Sequence, residues 1–439
     1  MGIDLSELSP QLQQKVSYAG TNNTSFQQGS TDLAQLLDLE INPKQVERVT
    51  ERIGRERCAA RDEAVANYMS LPLVERKSKP QGVKAPQVAV VGVDGGRLQI
   101  RGADWPSGTK EGKATTVEGQ DEEALPPDDQ HRGKHWREDK IGLLMTVTSE
   151  EHQSDPCPEV PPAFVDPTRI MKLTRELKVK KSANVQANTQ EAASEEPTPE
   201  EAQQALHEGG EKGKWQPPEV QDKHLTATRR CWKEFGPMVA QLAWKLGFYQ
   251  AERKAFLGDG SENNWTLWRK HCSSFVPILD IIHAISYVFA SATAGRPFVE
   301  GWPCYVRWLS WVWQGEVAKV IEELEQRQVE LGSPQEGDGE THPRVIVVTA
   351  LGYLQNHQDK MLYPEYRRCG LPITTSYVES AVKQFNYRVK GTEKFWTEEG
   401  AEALLQLRAD YLSPDSLLEE FWEARQANAT GQANYSQSL

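Results

Sequence analysis

The stretch from Lys254 to His283, KAFLGDGSENNWTLWRKHCSSFVPILDIIH, constrains the fold most tightly. Ala255-Phe256-Leu257 is an apolar run that reads as a short buried strand. It ends at Gly258-Asp259-Gly260, where two glycines around an acid let the backbone turn tightly and project the carboxylate from a strand end. A second apolar run, Phe275 to Leu279, reads as another strand and delivers Asp280 and His283. Strand, acid, short helix, strand and then Asp-x-x-His is a pattern of placed polar groups in an α/β layer.

A chain of 439 residues can bury a sizeable core and has room for two or three domains. Its apolar fraction of 38% suits a soluble protein with disordered parts. No apolar run approaches the roughly 20 residues needed to span a bilayer, so no membrane association is expected. The N-terminus, MGIDLSELSPQLQQ, lacks the basic-then-apolar pattern of a signal peptide. The six cysteines are scattered without a CxxC pair, which fits a reduced cytosol better than a disulfide framework or a zinc site. Net charge is −13, yet much of the acid sits in the tracts Gly119 to Asp129 and Gln190 to Glu211. Basic residues cluster at Lys44 to Arg61, Met171 to Lys181 and Arg388 to Lys394, so a locally basic surface is compatible with an acidic chain.

Near the N-terminus, Phe26, Leu33, Leu36 and Leu37 recur at helical spacing. Asn42-Pro43 then reads as a helix start, with Asn as N-cap. In Lys44 to Arg57, Val46, Val49 and Ile53 share one face, while Lys44, Arg48, Arg52 and Arg55 lie on the others. Two readings stand: a helix-turn-helix whose second helix reads DNA, or an ordinary amphipathic helical hairpin with a solvated charged face. Val88 to Val93 reads as a strand buried on both faces, Asp94-Gly95-Gly96 as a tight hairpin turn, and Leu98 to Arg101 as the return strand. Gly102 to His135 is expected to be a loop or disordered insertion, and Lys140 to Thr148 a third strand. Asp166 to Lys178 reads as a basic helix, Ser182 to Pro218 as a low-complexity linker and Phe235 to Tyr249 as an amphipathic helix. A helix runs from His283 through Ala290, and Arg296 to Leu331 is helical and rich in tryptophan, for which core packing is the default and base stacking the alternative. Val345 to Leu354 and Met361 to Arg368 continue the helical region. Thr374 to Gln384 reads as a helix with Glu379 and Lys383 one turn apart.

The segments VDGGRLQIR, FLGDGSENNW, PILDIIHAISYVF and SYVESAVKQFNYRVKGTEKFW, in this order, resemble the signature segments of bacterial insertion-sequence transposases. The resemblance is to the DDE class related to the Mutator-like group, and within it to the ISKra-type transposases, over residues 25–415 apart from two acidic insertions. It implies an RNase H-like core, a five-stranded mixed sheet with flanking helices, interrupted by an all-helical insertion. The domain plan it implies is an N-terminal helix-turn-helix-like region over 1–80 and a first core segment over 85–290, with insertions near 104–133 and 182–220. A Trp-rich helical insertion over 291–370, a last core segment over 371–415 and a tail over 416–439 complete it. Asp94, Asp259 and Glu379 map onto the three catalytic acids. Asp280 and His283 match an accessory Asp-x-x-His, with Asp280 read as the cap of the following helix. For His283, a buried structural role and a role beside the scissile phosphate both stand. The chain departs from the pattern in the length of its two acidic insertions and in a short N-terminus with Gly29 inside the first proposed helix.

The chemistry the resemblance implies accounts for these residue types. Cutting or joining a DNA phosphodiester requires a nucleophilic oxygen, a stabilised phosphorane-like charge and a stabilised leaving oxygen, and two Mg²⁺ ions about 3.5–4 Å apart can serve all three. Hard Mg²⁺, for which Mn²⁺ can substitute, takes oxygen ligands, so three acids and no thiolate are expected. Asp94, Asp259 and Glu379 are then metal ligands. Lys383, Arg388 and Lys390 are expected to hold backbone phosphates, and Lys44, Arg48 and Arg52 to contact DNA from the N-terminal helices. The implied partners are double-stranded DNA, as terminal inverted repeats and as target, and further copies of the chain in a homodimer or higher oligomer on DNA. The implied location is cytoplasmic and nucleoid-associated. Three functions stay open: a transposase, an RNase H-like nuclease or resolvase without strand transfer, and a catalytically inactive DNA-binding derivative.

Overall fold

The computed structural model describes residues 8–101, 136–172, 217–391, 393–414 and 416–428. It opens with helices α1 (Pro10–Asn22), α2 (Phe26–Leu37) and α3 (Pro43–Ser70), then a single turn, α4 (Leu73–Arg76). Asn42 starts α3 through a capping box: its side chain accepts from the Gln45 N–H, and the Gln45 side chain accepts from the Asn42 N–H. Next come β1 (Val88–Ile100), β2 (Trp136–Thr148), β3 (Glu219–Thr228) and α5 (Trp232–Lys245). They are followed by β4 (Arg253–Gly258), α6 (Glu262–His271), β5 (Val276–Leu279) and α7 (Ile281–Thr293). Four helices then fill the expected insertion: α8 (Phe298–Trp313), α9 (Val317–Leu331), α10 (Pro343–His357) and α11 (Tyr363–Arg368). The chain returns with α12 (Ser376–Val389), β6 (Phe395–Trp396), α13 (Glu398–Leu412) and α14 (Ser416–Ala427).

The strands form one mixed sheet in the order β3-β2-β1-β4-β5, with β6 paired to the far end of β1. β1, β2 and β3 pair antiparallel, while β4 and β5 extend the sheet parallel to β1. The sheet therefore has six strands where five were expected, the addition being the two-residue β6. Val88 to Val93 is wholly apolar apart from Gly92 and is buried on both faces, which places β1 at the centre.

The expected hairpin at Asp94-Gly95-Gly96 is a misreading. β1 runs straight through these residues, and its antiparallel partner is β2, with Asp94 opposite Ile141 and Gly96 opposite Asp139. The second glycine serves closeness rather than a turn: a Cβ on Gly96 would stand 2.9 Å from the Asp139 carboxylate oxygens. β3, which the sequence did not announce, is exposed over its first residues and buried over Leu225–Thr228. The insertion at 102–135 lies outside the described residues, as does most of the linker at 182–218. Of the basic helix expected over Asp166 to Lys178, residues 167–172 are described and helical.

The N-terminal helices are not set apart from the core. A Cβ on Gly54 of α3 would stand 2.5 Å from the Ala403 carbonyl oxygen of α13, and Arg57 pairs with Asp410 at 2.9 Å with both side chains nearly buried. Val16, Leu33, Val49 and Ile53 share an apolar cluster with Leu407, Leu418 and Trp422. The tail expected at 416–439 thus begins with a helix that joins this second core. Among the insertion tryptophans, Trp308 and Trp313 are fully buried, and Trp313 Nε1 donates to the Cys157 carbonyl oxygen at 2.8 Å. They pack the core rather than offer a stacking platform. Among the described residues, no helix is long and apolar enough to cross a membrane.

α12 is laid directly on β1. A Cβ on Gly92 would fall 2.4 Å from Val378 Cγ2, so only glycine admits the helix at this depth. Gly92→Ala should cost about 1–3 kcal/mol by overpacking, read by urea unfolding. It should also weaken whatever Glu379, the neighbour of Val378, binds. Unchanged stability would mean that α12 can lift off the sheet freely.

Candidate functional site

The parallel register sets β1, β4 and β5 side by side. Gly92 pairs with Leu257, Leu257 with Ile278, and Gly258 with Leu279. Asp259 and Asp280 follow directly on the last paired residues of β4 and β5, and Asp94 lies two positions beyond Gly92 in β1. Neighbouring strands lie about 4.8 Å apart, so Asp259 and Asp280 stand side by side at the carboxyl ends of β4 and β5. That is the crevice where open α/β sheets place ligands. Side chains alternate along strands, so Asp94 shares the face of Gly92, against which α12 packs.

Asn264 ties the end of β4 to β1. Its buried amide Nδ2 donates to Asp259 Oδ1 at 2.8 Å and lies 3.4 Å from the Val93 carbonyl oxygen. The Ser261 N–H also donates to Asp259 Oδ1, at 2.8 Å. Asp94 accepts from the Gly95 N–H at 2.7 Å.

Asp280 is fully buried and caps α7, accepting from the Ile282 N–H at 3.3 Å. The same oxygen accepts from the Thr375 N–H at 3.1 Å, which pins the start of α12 to the end of β5. Its other oxygen meets His283 Nδ1 at 2.6 Å. Burial pushes the Asp280 carboxyl up, but the His283 hydrogen bond and charge, with Thr375, outweigh it and hold the carboxyl below its usual range. Burial pushes the His283 imidazole down, and the hydrogen bond and charge of Asp280, then the charges of Asp259 and Glu379, raise it to about 9. The surrounding carboxylates Asp280, Asp259 and Glu379 thus favour the protonated imidazole as long as no metal is bound.

Among the described residues, Asp280, His283 and Glu379 form a group whose ligand atoms all lie within 4.8 Å of one another, close enough to hold a metal ion. The donors suit a hard divalent cation: carboxylates and an imidazole, without thiolate. Asp280 suits the ligand role least, because both its oxygens already accept hydrogen bonds. It orients His283, as outer-shell carboxylates do. Glu379 is half-exposed on α12, and Asp94 and Asp259 are not part of this group.

Sequence reasoning passed over three residues of this neighbourhood. Asn264 gave no signal beyond its place one turn into the helix after the acid. Thr375 acts through its backbone, which no side-chain pattern reports. Tyr353 donates its hydroxyl to the Asp259 carbonyl oxygen at 2.8 Å. Burial raises its phenol well above the usual value, followed by the charge of Asp259, so it remains a donor.

The expected DNA contacts divide. Lys44, Arg48 and Lys390 are exposed and Lys383 is half-buried, although Lys44 pairs with Glu47 at 2.8 Å. Arg388 is corrected: it is 1% exposed, donates Nε and Nη2 to the Gly20 carbonyl oxygen, and lies over the Phe26 and Trp396 rings. Such a guanidinium holds the N-terminal helices to the core and cannot meet a phosphate. Arg52 is half-exposed. Its Nε and Nη2 are buried, and burial followed by the charge of Arg425 lowers its pKa.

Searched against models of protein families, the chain matches none, and no curated protein matches it either.

Proposed function

We propose that the chain is a DNA transposase of the DDE class, which cuts DNA at the ends of an insertion sequence and joins the freed 3′-OH ends to target DNA. The observation that carries this reading is the group of Asp280, His283 and Glu379, with Asp259 beside His283 at the end of β4 and Asp94 within the neighbouring strand β1. The sheet order, three antiparallel strands continued by two parallel ones, supports an RNase H-like core.

In this reading Asp94, Asp259 and Glu379 hold divalent Mg²⁺ or Mn²⁺, which when bound supplies Lewis-acid stabilisation of the attacking and leaving oxygens. Asp259 presents its carboxylate from a turn fixed by Ser261 and Asn264. Asp280 holds His283 beside the acids. Lys383 and Lys390, following Glu379 along the chain, hold backbone near the cut. Double-stranded DNA is the substrate, and a homodimer or higher oligomer brings two ends together.

The test is a strand-cleavage and strand-transfer assay on DNA carrying the sequences that flank the gene. The expected result is nicking at the element boundary and joined product in Mg²⁺. Cleavage without joining would support a nuclease, and binding without cleavage in either metal would support an inactive derivative.

A second expectation separates the two basic regions. Arg48→Ala should weaken binding to element ends by about 1–3 kcal/mol more than binding to random DNA. Lys390→Ala should weaken both alike and flatten the salt slope by about one unit. Gel shifts at several salt concentrations read both. Equal losses on the two DNAs for Arg48→Ala would take sequence reading away from α3.

A further inference from the structure

Gly258 and Gly260 flank Asp259, and each lies against an aromatic ring. A Cβ on Gly258 would stand 3.0 Å from Trp265 Cη2, and one on Gly260 would stand 2.5 Å from Tyr353 Cε2. Gly260 also has φ +99, a conformation that a side chain would strain. The two rings are linked. Tyr287 of α7 stacks on Tyr353 with centroids 3.8 Å apart and planes at 17°. His357, one turn along α10, contacts both Tyr353 (4.7 Å between centroids) and Trp265 (5.9 Å), and its Nδ1 meets the Tyr353 carbonyl oxygen at 2.7 Å. A chain of rings thus encloses the Asp259 turn from the side of the helical insertion.

We propose that Tyr353 is a positioning residue for Asp259, through which the insertion sets the pose of a metal-binding carboxylate. The proposal rests on the reading of Asp259 as a metal ligand. The Tyr353 hydroxyl fixes the Asp259 carbonyl, while Ser261 and Asn264 fix carboxylate Oδ1 and so aim Oδ2 toward a cation. Removal of the hydroxyl frees the peptide that carries Asp259 but keeps the ring that fills the space beside Gly260. The carboxylate then samples poses that a cation must reorder on binding. Neither Tyr353 nor Tyr287 touches reacting atoms in this account.

The test uses the full chain as wild type, Tyr353→Phe and Asp259→Asn. Mn²⁺ binding is followed by calorimetry, well below the unfolding midpoint of each protein, and cleavage of end-bearing DNA is measured in Mg²⁺ and in Mn²⁺. Loss of one hydrogen bond is expected to raise the half-saturating Mn²⁺ of Tyr353→Phe by about fivefold. Its cleavage should fall by a similar factor at limiting Mg²⁺ and recover at saturating Mn²⁺. A merely structural tyrosine would lower the unfolding midpoint without moving the Mn²⁺ titration. Half-saturation indistinguishable from wild type in Tyr353→Phe, with Asp259→Asn losing both Mn²⁺ binding and cleavage, would overturn the proposal and leave the metal site standing. If Asp259→Asn bound Mn²⁺ and cleaved like wild type, the metal reading would fail and the proposal with it.

Discussion

Asp259→Asn should bind DNA carrying element ends within about twofold of wild type, since phosphate contacts carry the affinity, and should lose cleavage by about a thousandfold or more. The substitution keeps shape and removes charge. An asparagine carbonyl at Oδ1 can still accept from the Ser261 N–H and from Asn264, so the turn survives. What disappears is one negative charge beside His283. Filter binding and a gel-based cleavage assay in Mg²⁺ read the two effects separately. A variant that cleaves at the wild-type rate would remove Asp259 from the catalytic set. A variant that loses binding as well would assign Asp259 a role in holding DNA or the fold.

The second large effect is on stability, at a residue the functional argument does not use. Asp139 is 0% exposed, and among the described residues no other residue donates a hydrogen bond to either carboxylate oxygen. Burial raises its pKa to about 7, against weaker lowering by its own backbone N–H, Lys140 and Lys390. A carboxyl whose folded pKa lies above its unfolded value binds a proton more tightly when folded. Between the unfolded value of 3.8 and about 7, stability therefore falls as pH rises, and the full penalty applies above that range. Asp139→Asn removes this titration. Its advantage over wild type should widen by on the order of 2 kcal/mol between about pH 5 and about pH 8. Urea unfolding at both pH values measures it. A constant difference would mean that Asp139 is ionised and satisfied throughout.

The stretch from Lys254 to His283 was legible because it is local. Apolar runs of strand length, the Gly-Asp-Gly break and Asp-x-x-His announce β4, α6, β5 and α7, and those elements are observed close to the expected places. Asp94 lies within a continuous strand and not in the expected turn. Asp-Gly-Gly is a strong hairpin signal, yet here the glycines admit Asp139 of β2 into a continuous strand. β3 was missed because its first half is polar and exposed at the sheet edge, so little periodicity marks it. Arg388 looked like a surface cation because sequence does not reveal that Phe26 and Trp396 cover it. Tyr353 was invisible for a related reason: its contact with Asp259 spans 94 positions of chain. Long-range packing decided each of these.

The central claim is that Asp94, Asp259 and Glu379 jointly hold the divalent cations that cut DNA. Anomalous diffraction at the manganese edge, from crystals of the protein with end-bearing DNA and Mn²⁺, tests it most directly. The account predicts two peaks about 3.5–4 Å apart, both ligated by Asp259 and Glu379 or Asp94, with Asp280 outside the ligand sphere and bonded to His283. A single peak bound by Asp280, His283 and Glu379, with Asp94 and Asp259 turned away, would contradict it.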